Sequence, residues 1–191
     1  MIEAGTPAPD FKLRDQDGAD VSLEDLRGQT VVLVFYPLDF SPVCTDQLSI
    51  YQELVQDFDQ RGVKLYGVSV DSPFAHKAFQ ERLNLTIPLL ADFEPKGAVA
   101  KAYGVYNDEY GTSQRALVMI GPDGVVKWSY CSPSALEIPG ANLIFDALEP
   151  SAASARARAR GCLEGTGKWR NTRTIGSSAS SLSARAQYGH S

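Results

Sequence analysis

Cys44 is the residue whose surroundings carry the most chemistry. It follows an unbroken β-branched and aromatic run at residues 30–36 and a short loop holding Pro37 and Pro42. It also opens a stretch in which Leu48, Tyr51, Leu54, Val55 and Phe58 recur at three- and four-residue steps, the spacing of one apolar helix face. The thiol therefore stands in the first turn of a helix, just past the end of a buried strand, where open α/β sheets bind their ligands. A helix N-terminus offers unpartnered N–H groups and the positive end of a dipole, and both favour thiolate over thiol. The expected chemistry is nucleophilic attack by sulfur. The competing reading is a buried, inert cysteine, the common fate of a free thiol; the strand-to-helix turn beside a proline-bounded loop tips the balance toward reactivity.

The remaining composition narrows the class. The chain has 191 residues and three cysteines, Cys44, Cys131 and Cys162, too odd and sparse a set for a disulfide framework. Two histidines and no paired cysteine spacing give no metal site, and no cofactor is expected. No apolar run approaches the roughly 18 residues of a membrane span, and the first residues lack the basic start and apolar stretch of a secretory signal. The expectation is a cytoplasmic protein that does not engage a membrane. The net charge of −5 combines a balance of −11 over residues 1–150 with +6 over residues 151–191. An acidic body has little reason to bind nucleic acid.

The elements that must position Cys44 follow from periodicity and turn chemistry. Residues 11–14 and 20–23 flank Asp17-Gly18 as a short hairpin. Residues 30–36 and 63–70 read as strands buried on both faces, with a helix over 43–59 between them, ended by Gly62. Ser72 followed by Pro73 starts a further helix, whose predicted buried stripe is Phe74, Ala75, Ala78, Phe79 and Leu83; His76 reads as structural or solvated. Residues 89–92 form a short strand and 97–103 a helix. Residues 116–120 and 125–130 flank Gly121-Pro122-Asp123-Gly124 as a hairpin, and 141–148 is a final helix. This order predicts an α/β fold, a central mixed sheet flanked by helices, as in the thioredoxin fold. It occupies residues 1–149. Residues 150–191 are rich in Ser, Ala, Arg and Gly with isolated large apolar side chains, a composition expected to be disordered.

The segment Pro37-x-x-x-Ser41-x-x-Cys44 resembles the peroxiredoxin active-site motif, Pro-x-x-x-Thr/Ser-x-x-Cys. The resemblance extends to residues 68–76, to Ala91-Asp92-Phe93, to Ala102-Tyr103-Gly104-Val105 and to Arg115 at the opening of a strand, and covers roughly residues 3–149. It implies a thiol peroxidase that reduces hydrogen peroxide and organic hydroperoxides. Cys44 would be the peroxidatic thiol and pass through a sulfenic acid. Arg115 would hold the thiolate and the charge developing on the peroxide. Ser41 would donate a hydrogen bond to a peroxide oxygen beside the Val43 and Cys44 N–H groups, and Pro37 would limit water access. Plainer readings stand beside these: Ser41 as a helix cap, Arg115 as a strand-end ion-pair partner, Pro37 as a strand terminator.

The resemblance also frames regeneration. Five residues after Cys44 stands Ser49, which excludes an intrahelical second cysteine, and no Val-Cys-Pro tail is present. The expectation is a one-cysteine enzyme similar to the alkyl hydroperoxide reductase E type, reduced by an external thiol that is thioredoxin-like, glutaredoxin-like or of low molecular weight. Cys131 reads as a small buried hydrophobe, and Cys162 as a remote candidate. A homodimer or larger homo-oligomer is implied by the family. The rival functions are a redox sensor and a thiol–disulfide oxidoreductase; the latter needs Cys-x-x-Cys, and Gln47 occupies the second position.

Overall fold

The structure is a computed structural model that describes residues 1–149. The predicted tail, with Cys162, lies outside the described residues. Among the described residues there are nine strands: β1 (Lys12–Asp15), β2 (Asp20–Ser22), β3 (Thr30–Phe35), β4 (Val63–Ser69), β5 (Leu89–Ala91), β6 (Tyr106–Asn107), β7 (Thr112–Ser113), β8 (Ala116–Ile120) and β9 (Val126–Cys131). The helices are α1 (Pro42–Glu53), α2 (Val55–Gln60), α3 (Pro73–Leu83), α4 (Ala98–Ala102) and α5 (Asn142–Leu148), with a 3-10 turn at Glu24–Leu26.

Seven strands form one mixed sheet in the order β2-β1-β5-β4-β3-β8-β9, and β6 pairs with β7 separately. The centre is parallel, β3 with β4 and β4 with β5, while β8 runs antiparallel to β3 and pairs with β9 as the hairpin. Helices cover both faces, as expected. β3 is central because Val31, Val32, Leu33, Val34 and Phe35 are all fully enclosed, and each such side chain contributes about 1.5–3 kcal/mol of burial. Alternation along it splits the core in two. Val31, Leu33 and Phe35 join Tyr103, Val118 and Ile120 on one face; Val32, Val34 and Tyr36 join Leu48, Tyr51, Phe58, Phe79 and Ile144 on the other. Among the described residues no helix is long and apolar enough to cross a membrane.

Three expectations need correction. The helix over 43–59 is two helices. The Leu54 N–H bonds back to the Tyr51 carbonyl, three residues away, which tightens the turn and restarts the chain as α2. Tyr51 and Phe58 still enter the same core, with ring centroids 6.5 Å apart. The buried stripe of α3 is wrong at its start: Phe74 is 87% exposed and Ala78 lies on the surface, whereas His76 and Phe79 are buried. Packing rather than hydropathy decides here, because His76 finds polar partners inside. The short pair β6–β7 has no run long enough to show periodicity and went unpredicted.

Candidate active site

The chain leaves β3 at Phe35, passes Tyr36 and Pro37, and enters α1 at Pro42. Proline at the first helical position suits a helix start, since its missing N–H would have no partner there. Ser41 occupies the N-cap with extended backbone, and its carbonyl accepts the first helical bond from the Thr45 N–H at 2.9 Å. Its side chain does not cap. The hydroxyl instead donates to the Leu38 carbonyl at 3.0 Å, so the first-turn N–H groups of Val43 and Cys44 are not taken by Ser41.

Cys44 is fully buried on the α1 side of the sheet. Arg115, just before β8, reaches it on the same face of the sheet: Nη2 donates to Cys44 Sγ at 3.4 Å. The guanidinium is held at its other corners by Gln47 Oε1, which accepts from Nη1, and by the Ala135 carbonyl, which accepts from Nε at 2.9 Å. Among the described residues no carboxylate contacts Arg115, so the plain ion-pair reading does not describe it. The guanidinium is therefore a cationic donor fixed against the sulfur from three corners.

A cavity of about 630 Å³ opens beside this group, lined by Pro37, Leu38, Tyr110, Arg115, Pro133 and Leu136 among others. Arg115 thus touches both the cavity and the sulfur, and Pro37 forms part of the wall. The structure brings Cys44 and Arg115 into contact and places Pro37 and Ser41 on the loop between β3 and α1.

Two relatives and one solved structure resemble this arrangement's host. The AhpC/TSA family pattern matches residues 4–129. The chain belongs to this family, the peroxiredoxins. Alkyl hydroperoxide reductase E of Mycobacterium tuberculosis is 36% identical over 130 residues, covering 68% of this chain and 85% of that protein. Peroxiredoxin Q, chloroplastic, of Oryza sativa is 38% identical over 130 residues, 68% of this chain and 59% of that one. The crystal structure of Enterococcus faecalis AhpC superposes with a TM-score of 0.72 at 26% identity, covering 87% of this chain and all of that one. Thiol-dependent reduction of peroxides is the activity this membership carries, with a peroxide as substrate and a thiol as reductant.

Sequence reasoning missed part of this peroxiredoxin's site. Gln47 served only to exclude a Cys-x-x-Cys motif, yet it anchors Arg115. The signal was present: Gln47 lies three residues after Cys44 and so shares its helix face. Asp39 was missed as well, while His76, which reads as structural or solvated, is structural. Both are buried, and His76 Nδ1 lies 2.8 Å from Asp39 Oδ2.

Cys131 sits elsewhere. It pairs in register with Ala116, and both belong to the face opposite Cys44. Its Sγ donates to Gln114 Oε1 at 3.1 Å, and burial pushes its thiol up from the ordinary value.

Proposed function

We propose that this thiol peroxidase runs its reaction through Cys44, with Arg115, Ser41 and Pro37 as its helpers. The supporting observation is the fixed contact between the Arg115 guanidinium and Cys44 Sγ at 3.4 Å. The thiolate attacks the near oxygen of ROOH. The O–O bond breaks as the S–O bond forms, leaving a sulfenic acid on Cys44, and RO⁻ takes a proton and departs as alcohol, or as water when the substrate is hydrogen peroxide. Arg115 stabilises the charge as it moves from sulfur to oxygen without having to reorganise. The Val43 and Cys44 N–H groups and the Ser41 hydroxyl supply the remaining donors; Ser41 must turn from the Leu38 carbonyl to do so. Pro37 keeps water off the sulfur.

An external thiol then attacks the sulfenic sulfur, expels water and forms a mixed disulfide. A second thiol releases Cys44 as thiolate with a disulfide as the other product. The one-cysteine reading is supported by the sheet standing between Cys44 and Cys131. The family resemblance extends the reading to a homodimer or larger assembly, which sedimentation of the full chain would measure.

The test is stoichiometric peroxide addition to reduced protein, followed by intact-mass and peptide analysis. One added oxygen on the Cys44 peptide, and rapid peroxide consumption once a dithiol is supplied, are expected. A disulfide from Cys44 to Cys131 or Cys162 would overturn the one-cysteine mechanism. A rate no faster than free cysteine would overturn the assignment of Cys44.

A further inference from the structure

The loop that carries Pro37 and Ser41 rests on buried polar groups that the mechanism above does not use. Asp39 lies midway along that loop with its side chain almost fully enclosed. Its Oδ1 accepts from Tyr36 Oη at 2.7 Å and its Oδ2 lies 2.8 Å from His76 Nδ1. Its own backbone N–H donates to Asp71 Oδ2 at 2.8 Å, an oxygen that also accepts from Ser69 Oγ at 2.6 Å. The Tyr36 carbonyl accepts from Ser113 Oγ at 2.6 Å, two residues before Arg115. The loop is thus tied on one side to α3 through His76 and on the other to the segment that bears Arg115.

The His76 tautomer that matches an accepting Asp39 oxygen carries its hydrogen on Nδ1. The other ring nitrogen, Nε2, is buried and has no partner among the described residues. Burying a carboxylate and an imidazole with one nitrogen unmatched is a poor way to gain stability, since well-packed apolar side chains commonly do as well or better. What the arrangement does provide is geometry. Phe40, directly after Asp39, holds a left-handed backbone with φ of 59°, a conformation uncommon for a bulky residue that persists only where its surroundings impose it. Phe40 stands between the bonds to Asp39 and its own ring contact with Phe79, centroids 5.0 Å apart, and Ser41 follows at once.

We infer that Asp39 and His76 are positioning residues for the peroxide-binding loop: the Nδ1–H of His76 holds the Asp39 carboxylate, and this fixes Ser41 and Pro37 relative to Cys44. The inference rests on Cys44 being the peroxidatic thiol. Neither residue touches the sulfur, so the consequence falls on the geometry of peroxide binding more than on the thiolate itself.

The experiment compares His76→Leu, which removes the donor, with His76→Asn, whose amide can place an N–H near the Nδ1 position. The readouts are the second-order rate of sulfenate formation with hydrogen peroxide, the rate of iodoacetamide alkylation at the Cys44 peptide, and Tm. His76→Leu is expected to slow sulfenate formation about tenfold or more, consistent with the cost of a small misplacement of reacting groups. Alkylation of Cys44 should change by no more than about twofold, because alkylation needs no peroxide pocket. His76→Asn should recover most of the lost rate. Should His76→Leu fail to fold, Tyr36→Phe removes a single bond to Asp39 and should slow the peroxide step selectively. A folded variant with the wild-type peroxide rate overturns the inference, and so does a loss shared equally by both reactions that Asn does not rescue. Wild-type protein that consumes no peroxide sinks the assignment of Cys44 and this inference with it, which separates the two failures.

Discussion

Two thiols of this chain differ in almost everything except their sulfur. Cys44 and Cys131 lie on opposite faces of one sheet, and consecutive residues attend to them: Arg115 donates to Cys44, and Gln114 accepts from Cys131. Cys44 thus faces a fixed cation and Cys131 a neutral acceptor. Cys131 also has the Ser132 carbonyl at 3.7 Å as a second acceptor. The proposed reactive thiol and the second thiol thus face residues 115 and 114 from opposite sides of the sheet, and what differs is their neighbours.

The largest expected effect comes from exchanging the sulfurs for oxygen. Cys44→Ser should lower peroxide consumption by on the order of a thousandfold or more, because a hydroxyl is a weak nucleophile without a base. Cys131→Ser should leave the single-turnover rate within about twofold. Stopped-flow measurement on both variants checks the pair; comparable losses would erase the contrast.

Next in size is the neighbour itself. Arg115→Leu should cost about 10²–10³ in the second-order rate, the range seen when one preorganised donor to a developing charge is removed. Arg115→Lys keeps a charge but cannot reach Cys44, Gln47 and Ala135 together, because an ammonium lacks the planar fork; it should fall between wild type and Leu. Gln47→Leu keeps Arg115 and removes only one anchor, so a loss nearer to about tenfold is expected. If Gln47→Leu matched Arg115→Leu, the anchor would matter as much as the charge.

How much of this was visible beforehand depended on sequence distance. β3, β4 and β8 declared themselves as apolar runs, and Ser72-Pro73 marked the start of α3, because these signals are local. The Cys44 helix start was equally plain. The contact between Arg115 and Cys44 joins positions far apart in the chain, and without the family motif Arg115 reads as an ordinary strand-end cation. The Asp39–His76 pair was not legible: His76 reads as structural or solvated without a partner in view, and nothing local announces that Asp39 is buried opposite it. Hydropathy misplaced Phe74 on the inner face for the same reason, since it ranks side chains without knowing which polar ones find partners inside.

The smallest effect tests the quiet thiol. Burial holds the Cys131 thiol above its ordinary value near 9.0, so the folded chain binds that proton more tightly than the unfolded chain does. Between the unfolded and folded values the unfolded state is the more ionised, and stability falls as pH rises. Below the unfolded value both states keep the proton and the effect vanishes. Wild-type protein should therefore lose slightly more Tm than Cys131→Ser on going from about pH 8 to about pH 10, and the two should run parallel below about pH 8. Cys131 is only partly enclosed, which keeps the difference small. At neutral pH its alkylation should lag behind that of Cys44. A Cys131 that alkylates as fast as Cys44 would mean that the Gln114 contact does not quiet it and that Arg115 gives Cys44 no advantage.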